Sequence, residues 1–255
     1  MSRHHYPFSV ATRFAEEHFL SSTYPKVRAL DYHGVSNPAV GHGGDFFDFI
    51  SLDGSKLLAA VGGVSSDGSG LALVTSGLQA YLHNLAAHFQ GDITGAVHQL
   101  NRYLWQNSPE GFFSTLFYAY VDPAAGRLDY VSAAHEPALL IRRDRDRVLR
   151  LERTGTVLGL SERSTYETRS LRIQEGDTLV AFTDNIPDAT VVAICRRYPV
   201  GSASGLADAI LKATDPFVSD AAQNNDRTLA VVRLISEDRA AAKADCTEVE
   251  LAATA

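Results

Sequence analysis

The segment from Gly43 to Gly70 constrains the fold more than any other part of the chain. Its first run, Gly43-Gly44-Asp45-Phe46-Phe47-Asp48-Phe49, continues through Ile50 to Leu52 and then meets Asp53-Gly54. An Asp-Gly pair between two β-prone runs is a strong hairpin signal, because both residues tolerate the positive φ that a tight turn of matching twist requires. The return run, Lys56-Leu57-Leu58-Ala59-Ala60-Val61, leads into glycine- and serine-rich sequence beginning at Gly62-Gly63. Antiparallel strands are therefore expected at Phe46–Leu52 and Lys56–Val61.

Hydrophobic periodicity carries the rest of the chain. Val10, Ala11, Phe14, Ala15 and Phe19 fall at helical spacing, so an amphipathic helix is expected from Phe8 to Leu20, ended by Pro25. Val27–His33 has strand character. Leu71–Phe89 carries a helical apolar stripe, and Asp92 is placed to cap a second helix containing Ile93, Val97, Leu100 and Leu104. Further strands are expected at Phe113–Val121, Arg127–Ser132, Ala138–Arg142, Val148–Glu152, Thr168–Ile173, Thr178–Phe182 and Thr228–Ile235, with a helix over Ser204–Ala213. No internal repeat or linker divides the chain. It reads as one domain over residues 1–238, followed by an Ala-rich tail, 239–255, with the composition of a disordered or frayed-helical segment. Many hairpin-linked strands with helices in pairs between them indicate an α+β sandwich with segregated helical layers.

Composition excludes several classes of function. A formal net charge of -7 disfavours general affinity for nucleic acid or for anionic membrane surfaces. No apolar run is long enough for a signal peptide or a membrane span. Only two cysteines occur, Cys195 and Cys246, so neither a disulfide framework nor a thiolate metal site is indicated, and a cytoplasmic location is expected. The glycine run from Gly62 lacks the Lys-Ser/Thr ending of a P-loop, so nucleotide binding is not expected.

Seven short segments in order resemble the bacterial branch of the PPM metal-dependent protein phosphatases, the type of stage II sporulation protein E and the sigma-B regulatory phosphatases. They are Gly43–Phe49, Gly62–Gly68, Phe113–Tyr118, Asp122–His135, Val157–Leu160, Glu175–Asp177 with Phe182–Asp184, and Asn225–Thr228. The resemblance runs from Ala15 to Leu234. It implies a sandwich of two antiparallel β-sheets flanked by helical layers. It also implies two Mn²⁺ or Mg²⁺ ions at one edge, which activate water to attack a phosphoserine or phosphothreonine; hard divalent ions take oxygen ligands, hence the acidic residues.

Carried over by position, the family's first metal aspartate matches Asp45, and the aspartate of its Thr-Asp-Gly motif matches Asp184, with Asn185 in the glycine slot. A backbone carbonyl ligand falls at Val64 or a neighbour. The aspartate that bridges the two ions in the family matches Gly63. The last ligand falls at Asn225 or, with a shift of one residue, at Asp226. A carboxylate about 4 Å from a unit cation contributes roughly 4 kcal/mol at an effective dielectric near 20, so each lost carboxylate costs about three decades of affinity. Asp67 is most simply a turn former, with a surrogate ligand as the alternative. His135 holds the family's Ala-Gly-His slot and is expected to be structural. Asn185 is expected to meet a need for positive φ.

Two functions follow from the resemblance. One is a divergent serine/threonine phosphatase with a weakened or lost dinuclear site, acting on or recognising a phosphoserine regulatory protein. The other is a pseudophosphatase that binds a partner such as an anti-sigma antagonist in a partner-switching pathway. A homodimer through the opening helix is a further expectation.

Overall fold

The computed structural model describes residues 24–37, 44–65, 71–108, 111–198, 201–214 and 226–236. The expected opening helix, the tail, Asp67 and Asn225 lie outside the described residues. In chain order the strands are β1 (Leu30–Asn37), β2 (Asp45–Leu52), β3 (Lys56–Ser65), β4 (Phe113–Asp122), β5 (Arg127–Ala133), β6 (Ala138–Ile141), β7 (Val148–Leu151), β8 (Arg169–Arg172), β9 (Thr178–Phe182) and β10 (Arg227–Leu234). The helices are α1 (Leu71–Phe89) and α2 (Ile93–Asn107), between β3 and β4, and α3 (Asp188–Arg197) and α4 (Ala203–Thr214), between β9 and β10.

All strand pairs are antiparallel, and they form two five-stranded sheets ordered β1-β10-β9-β6-β7 and β2-β3-β4-β5-β8. Period-two alternation explains the layering. On β3, Leu57, Ala59 and Val61 point into the core between the sheets, while Leu58, Ala60 and Val64 join the cluster beneath α1 and α2. On β9, Leu179 and Ala181 face the inter-sheet core, and Val180 and Phe182 face α3 and α4. Strands buried on both faces need continuous apolar runs, and these two have them. The result is a four-layer α-β-β-α sandwich, as the sequence indicated. Full burial of a leucine such as Leu57 or Leu100 stabilises the fold by about 2 kcal/mol.

Helix α2 starts where expected, with the Asp92 carboxylate accepting from the Gly95 amide at 2.9 Å. Three elements differ from expectation. Strand β3 does not stop at Val61 but runs through Gly62 and Gly63, because close packing demands glycine there: a Cβ on Gly62 would lie 2.7 Å from both the Phe46 ring and the Thr115 carbonyl. Strand β1 begins at Leu30, three residues later than Val27, after a turn in which Ala29 has φ 57°. Helix α3 has no counterpart in the sequence analysis. Its Thr190-Val191-Val192 run with Ile194 is β-branched, and its N-cap, Pro187, makes no side-chain hydrogen bond. Burial of Val191 and Cys195 against the first sheet overrides local propensity.

Candidate functional site

Antiparallel register brings distant segments to one end of the sandwich. There the start of β2, the end of β3, the start of β4, the segment after β5, the end of β9 and the approach to β10 enclose a cleft of about 470 Å³. Its lining includes Asp45, Gly63, Val64, Thr115, His135, Glu136, Thr183, Asp184, Asn185 and Asp226. Three of the aspartates expected as ligands therefore meet, although 139 residues separate Asp45 from Asp184 and 42 more lead to Asp226. Among the described residues no lysine or arginine lines the cleft.

Asp45 opens β2. Its Oδ2 is buried and has no hydrogen-bond partner among the described residues. Burial pushes its carboxyl up to about 7; a hydrogen bond from the Thr183 side chain opposes the rise, and the charges of Asp226 and Asp184 add to it. Asp226 ties the two sheets together: its Oδ2 accepts from the Gly44 amide at 2.5 Å and the Asp45 amide at 3.0 Å. Contrary to the expectation from the sequence, Asn185 does not adopt a positive φ. Its side-chain amide instead donates to Asp184 Oδ1 and to the Asp226 carbonyl, both at 3.0 Å. The positive φ sits at Ala134, at 52°, in the slot where the family pattern has glycine.

Gly63 lies in register between Asp45 on β2 and Thr115 on β4. A Cβ at Gly63 would lie 2.8 Å from Asp45 Oδ1 and 3.7 Å from Thr115 Oγ1. Val64 lines the cleft, and its amide donates to the Gly44 carbonyl at 2.9 Å. His135 is 3% exposed, with Nδ1 3.1 Å from Thr115 Oγ1. Burial pushes its imidazole down to about 4, so the ring is neutral at pH 7. Its burial suits the structural role expected for it, but Nε2 has no hydrogen-bond partner among the described residues, so the ring is not fully satisfied there. Glu136 at the rim pairs with Arg153 at 3.2 Å. Asp48 faces away toward α1, where it pairs with His83 at 2.9 Å.

These residues do not fit a bridged pair of divalent ions. Position 63 has no side chain, Asp226 Oδ2 is committed to two backbone amides, and Asp184 Oδ1 accepts from Asn185. Among the described residues no group of three or more His, Cys, Asp or Glu side chains is arranged to hold a metal ion. Thr115, Thr183, Glu136 and the clamping role of Asn185 were missed from sequence. Thr115 and Thr183 lie inside quoted motif segments, but only the structure shows that Thr115 stands across Gly63 from Asp45 and that Thr183 hydrogen-bonds Asp45.

The chain is similar to known phosphatase domains over most of its described length. It is 28% identical over 178 residues to phosphoserine phosphatase RsbU of Bacillus subtilis, covering 68% of this chain and 51% of that protein. The chain spans about a third to a half of the curated relatives it matches. The PP2C phosphatase domain of SpoIIE from Bacillus subtilis superposes with a TM-score of 0.71 at 18% identity, covering 82% of this chain and 64% of that one. The catalytic domain of the serine/threonine phosphatase PstP, solved with two manganese ions, superposes with a TM-score of 0.64 at 14% identity, covering 81% and 99%. No described helix is long and apolar enough to cross a membrane. The stage II sporulation protein E (SpoIIE) family model matches residues 53–235, and with the fold this shows that the chain belongs to that family of PPM-type phosphatase domains.

Proposed function

We propose that this domain recognises a phosphoserine-bearing regulatory protein, of the anti-sigma-antagonist kind, and that its cleft has lost efficient phosphatase turnover. One observation carries the proposal: Gly63, which matches the family's bridging aspartate by position, has no side chain, and the Asp45 carboxylate leans into the space one would need. Without that bridge the remaining acids hold Mn²⁺ or Mg²⁺ weakly, by the same charge arithmetic that makes each lost carboxylate costly. Among the described residues the cleft presents Asp45, Glu136, Asp184 and Asp226 and no lysine or arginine, which favours entry of phosphate together with a counter-cation. A cytoplasmic setting suits such a partner.

The convergence of Asp45, Asp184 and Asp226 supports a second reading, a slow phosphatase with a rebuilt site in which Asp67 supplies the missing carboxylate. Hydrolysis of p-nitrophenyl phosphate with Mn²⁺, with Asp184→Ala as the blank, separates the two. Turnover no greater than the blank is expected. Metal-dependent turnover that disappears in Asp184→Ala overturns the proposal in favour of the slow phosphatase.

A further inference from the structure

Beyond the end of β5, Ala134, His135 and Glu136 line the cleft in succession. The chain that follows β7 is strapped alongside them. The Thr154 and Gly155 amides both donate to the Ser132 carbonyl, at 2.9 and 3.1 Å, and the Ala134 amide donates to the Gly155 carbonyl at 3.0 Å. The Ser132 amide donates in turn to Thr154 Oγ1 at 3.0 Å. The strap is close-packed: a Cβ on Gly155 would lie 2.3 Å from the Tyr166 ring. Arg153, the residue just before it, is thereby held beside Glu136. One guanidinium nitrogen, Nη2, donates to Glu136 Oε1 at 3.2 Å, between side chains 55% and 37% exposed. Among the described residues Arg153 makes no other hydrogen bond or ion pair, so the rest of its fork is open. Burial holds the His135 imidazole down and the Arg153 charge adds to that, so the guanidinium is felt inside the cleft although it stands just outside the lining.

A single ion pair so exposed is weak and readily exchanged. A phosphate dianion is a stronger partner, because a guanidinium meets it through two parallel hydrogen bonds. We propose that Arg153 is the residue that reads phosphate in this protein and that Glu136 occupies it until a phosphoserine arrives: the partner's phosphate takes the guanidinium from Glu136 at the mouth of the cleft. The assignment rests on the proposed recognition of a phosphoserine protein and names the residue that performs it. Arg153 is the counter-cation that the acidic lining lacks. Asp45, Asp184 and Asp226 oppose entry of the dianion among them, which keeps it at the rim where Arg153 reaches.

The test titrates the isotope-labelled full chain with inorganic phosphate and with N-acetyl-phosphoserine amide, in EDTA at about pH 7.5 and constant ionic strength, and follows the backbone amide resonance of residue 136. Arg153→Gln is expected to weaken both ligands at least about 10-fold, and Glu136→Gln to tighten them about 2–5-fold. Arg153→Lys, which keeps the charge and loses the fork, is expected to fall between wild type and Arg153→Gln. Both side chains are exposed, so all three variants are expected to melt with wild type. Arg153→Gln binding within about twofold of wild type, or Glu136→Gln binding no tighter, overturns the assignment and leaves phosphoserine recognition by other residues standing. Binding of neither ligand by wild type overturns the assignment and the proposed recognition together. Mn²⁺-dependent turnover by wild type would sink only the proposed loss of phosphatase activity, and the assignment of Arg153 would stand.

Discussion

Asp177 and Asp45 flank strands at opposite ends of the sandwich and are treated oppositely by it. Asp177, just before β9, is fully buried and fully engaged. Its oxygens accept from the Arg142 guanidinium at 2.7 Å, the Arg143 amide at 2.8 Å and the Gln174 amide at 3.1 Å. Asp45, at the cleft, leaves one buried oxygen without a described partner and has two further carboxylates for neighbours. A buried charge matched by donors holds a turn together. One left unmatched is a cost, and in this fold the cost sits where the family places its chemistry.

The largest effect should come from breaking the satisfied member. Asp177→Ala leaves Arg142 with only the Arg172 carbonyl as acceptor and the Arg143 and Gln174 amides without their carboxylate, and about 3–5 kcal/mol of stability should be lost in a urea melt. A loss below about 1 kcal/mol would show that the two aspartates are energetically alike. The unmatched member should appear in the pH dependence. Its folded pKa of about 7 lies above the ordinary aspartate value of 3.8, so the folded state holds the proton more tightly than the unfolded chain. Its contribution to stability is then fully present below the unfolded pKa and is lost as pH rises from about 4 through 7. The loss is up to about 4 kcal/mol in metal-free buffer. Asp45→Asn should flatten that part of the profile, and an unchanged slope would remove Asp45 as its source. The smallest effect concerns the backbone beside the cleft: Ala134→Gly, which relieves a positive φ, should raise stability by about 1 kcal/mol. A destabilised Ala134→Gly would mean that the alanine methyl contributes packing there.

Much of this fold was legible in sequence because its signals are local. Asp53-Gly54 announces the β2–β3 hairpin, Asp92 announces α2, and the apolar run Thr178–Phe182 coincides with β9. Helix α3 was not legible, since its β-branched residues prefer strands and only packing against the first sheet decides otherwise. For the site, the order of motifs singled out Asp45, Asp184, Asp226 and the glycine at 63. What they do to one another depends on register and side-chain reach. Nothing local in Gly62-Gly63 says which glycine faces Asp45, or that Asn185 spends its amide on two neighbours and not on a left-handed turn.

The pair of hydrogen bonds that the Asp226 carboxylate accepts from the Gly44 and Asp45 amides fastens the lip of one sheet to the lip of the other. A ligand that recruits Asp226 Oδ2 has to take it from those amides. Filling the cleft by that route loosens its own frame, and the first backbone to register an occupant is the threshold of β2, not the floor beneath it.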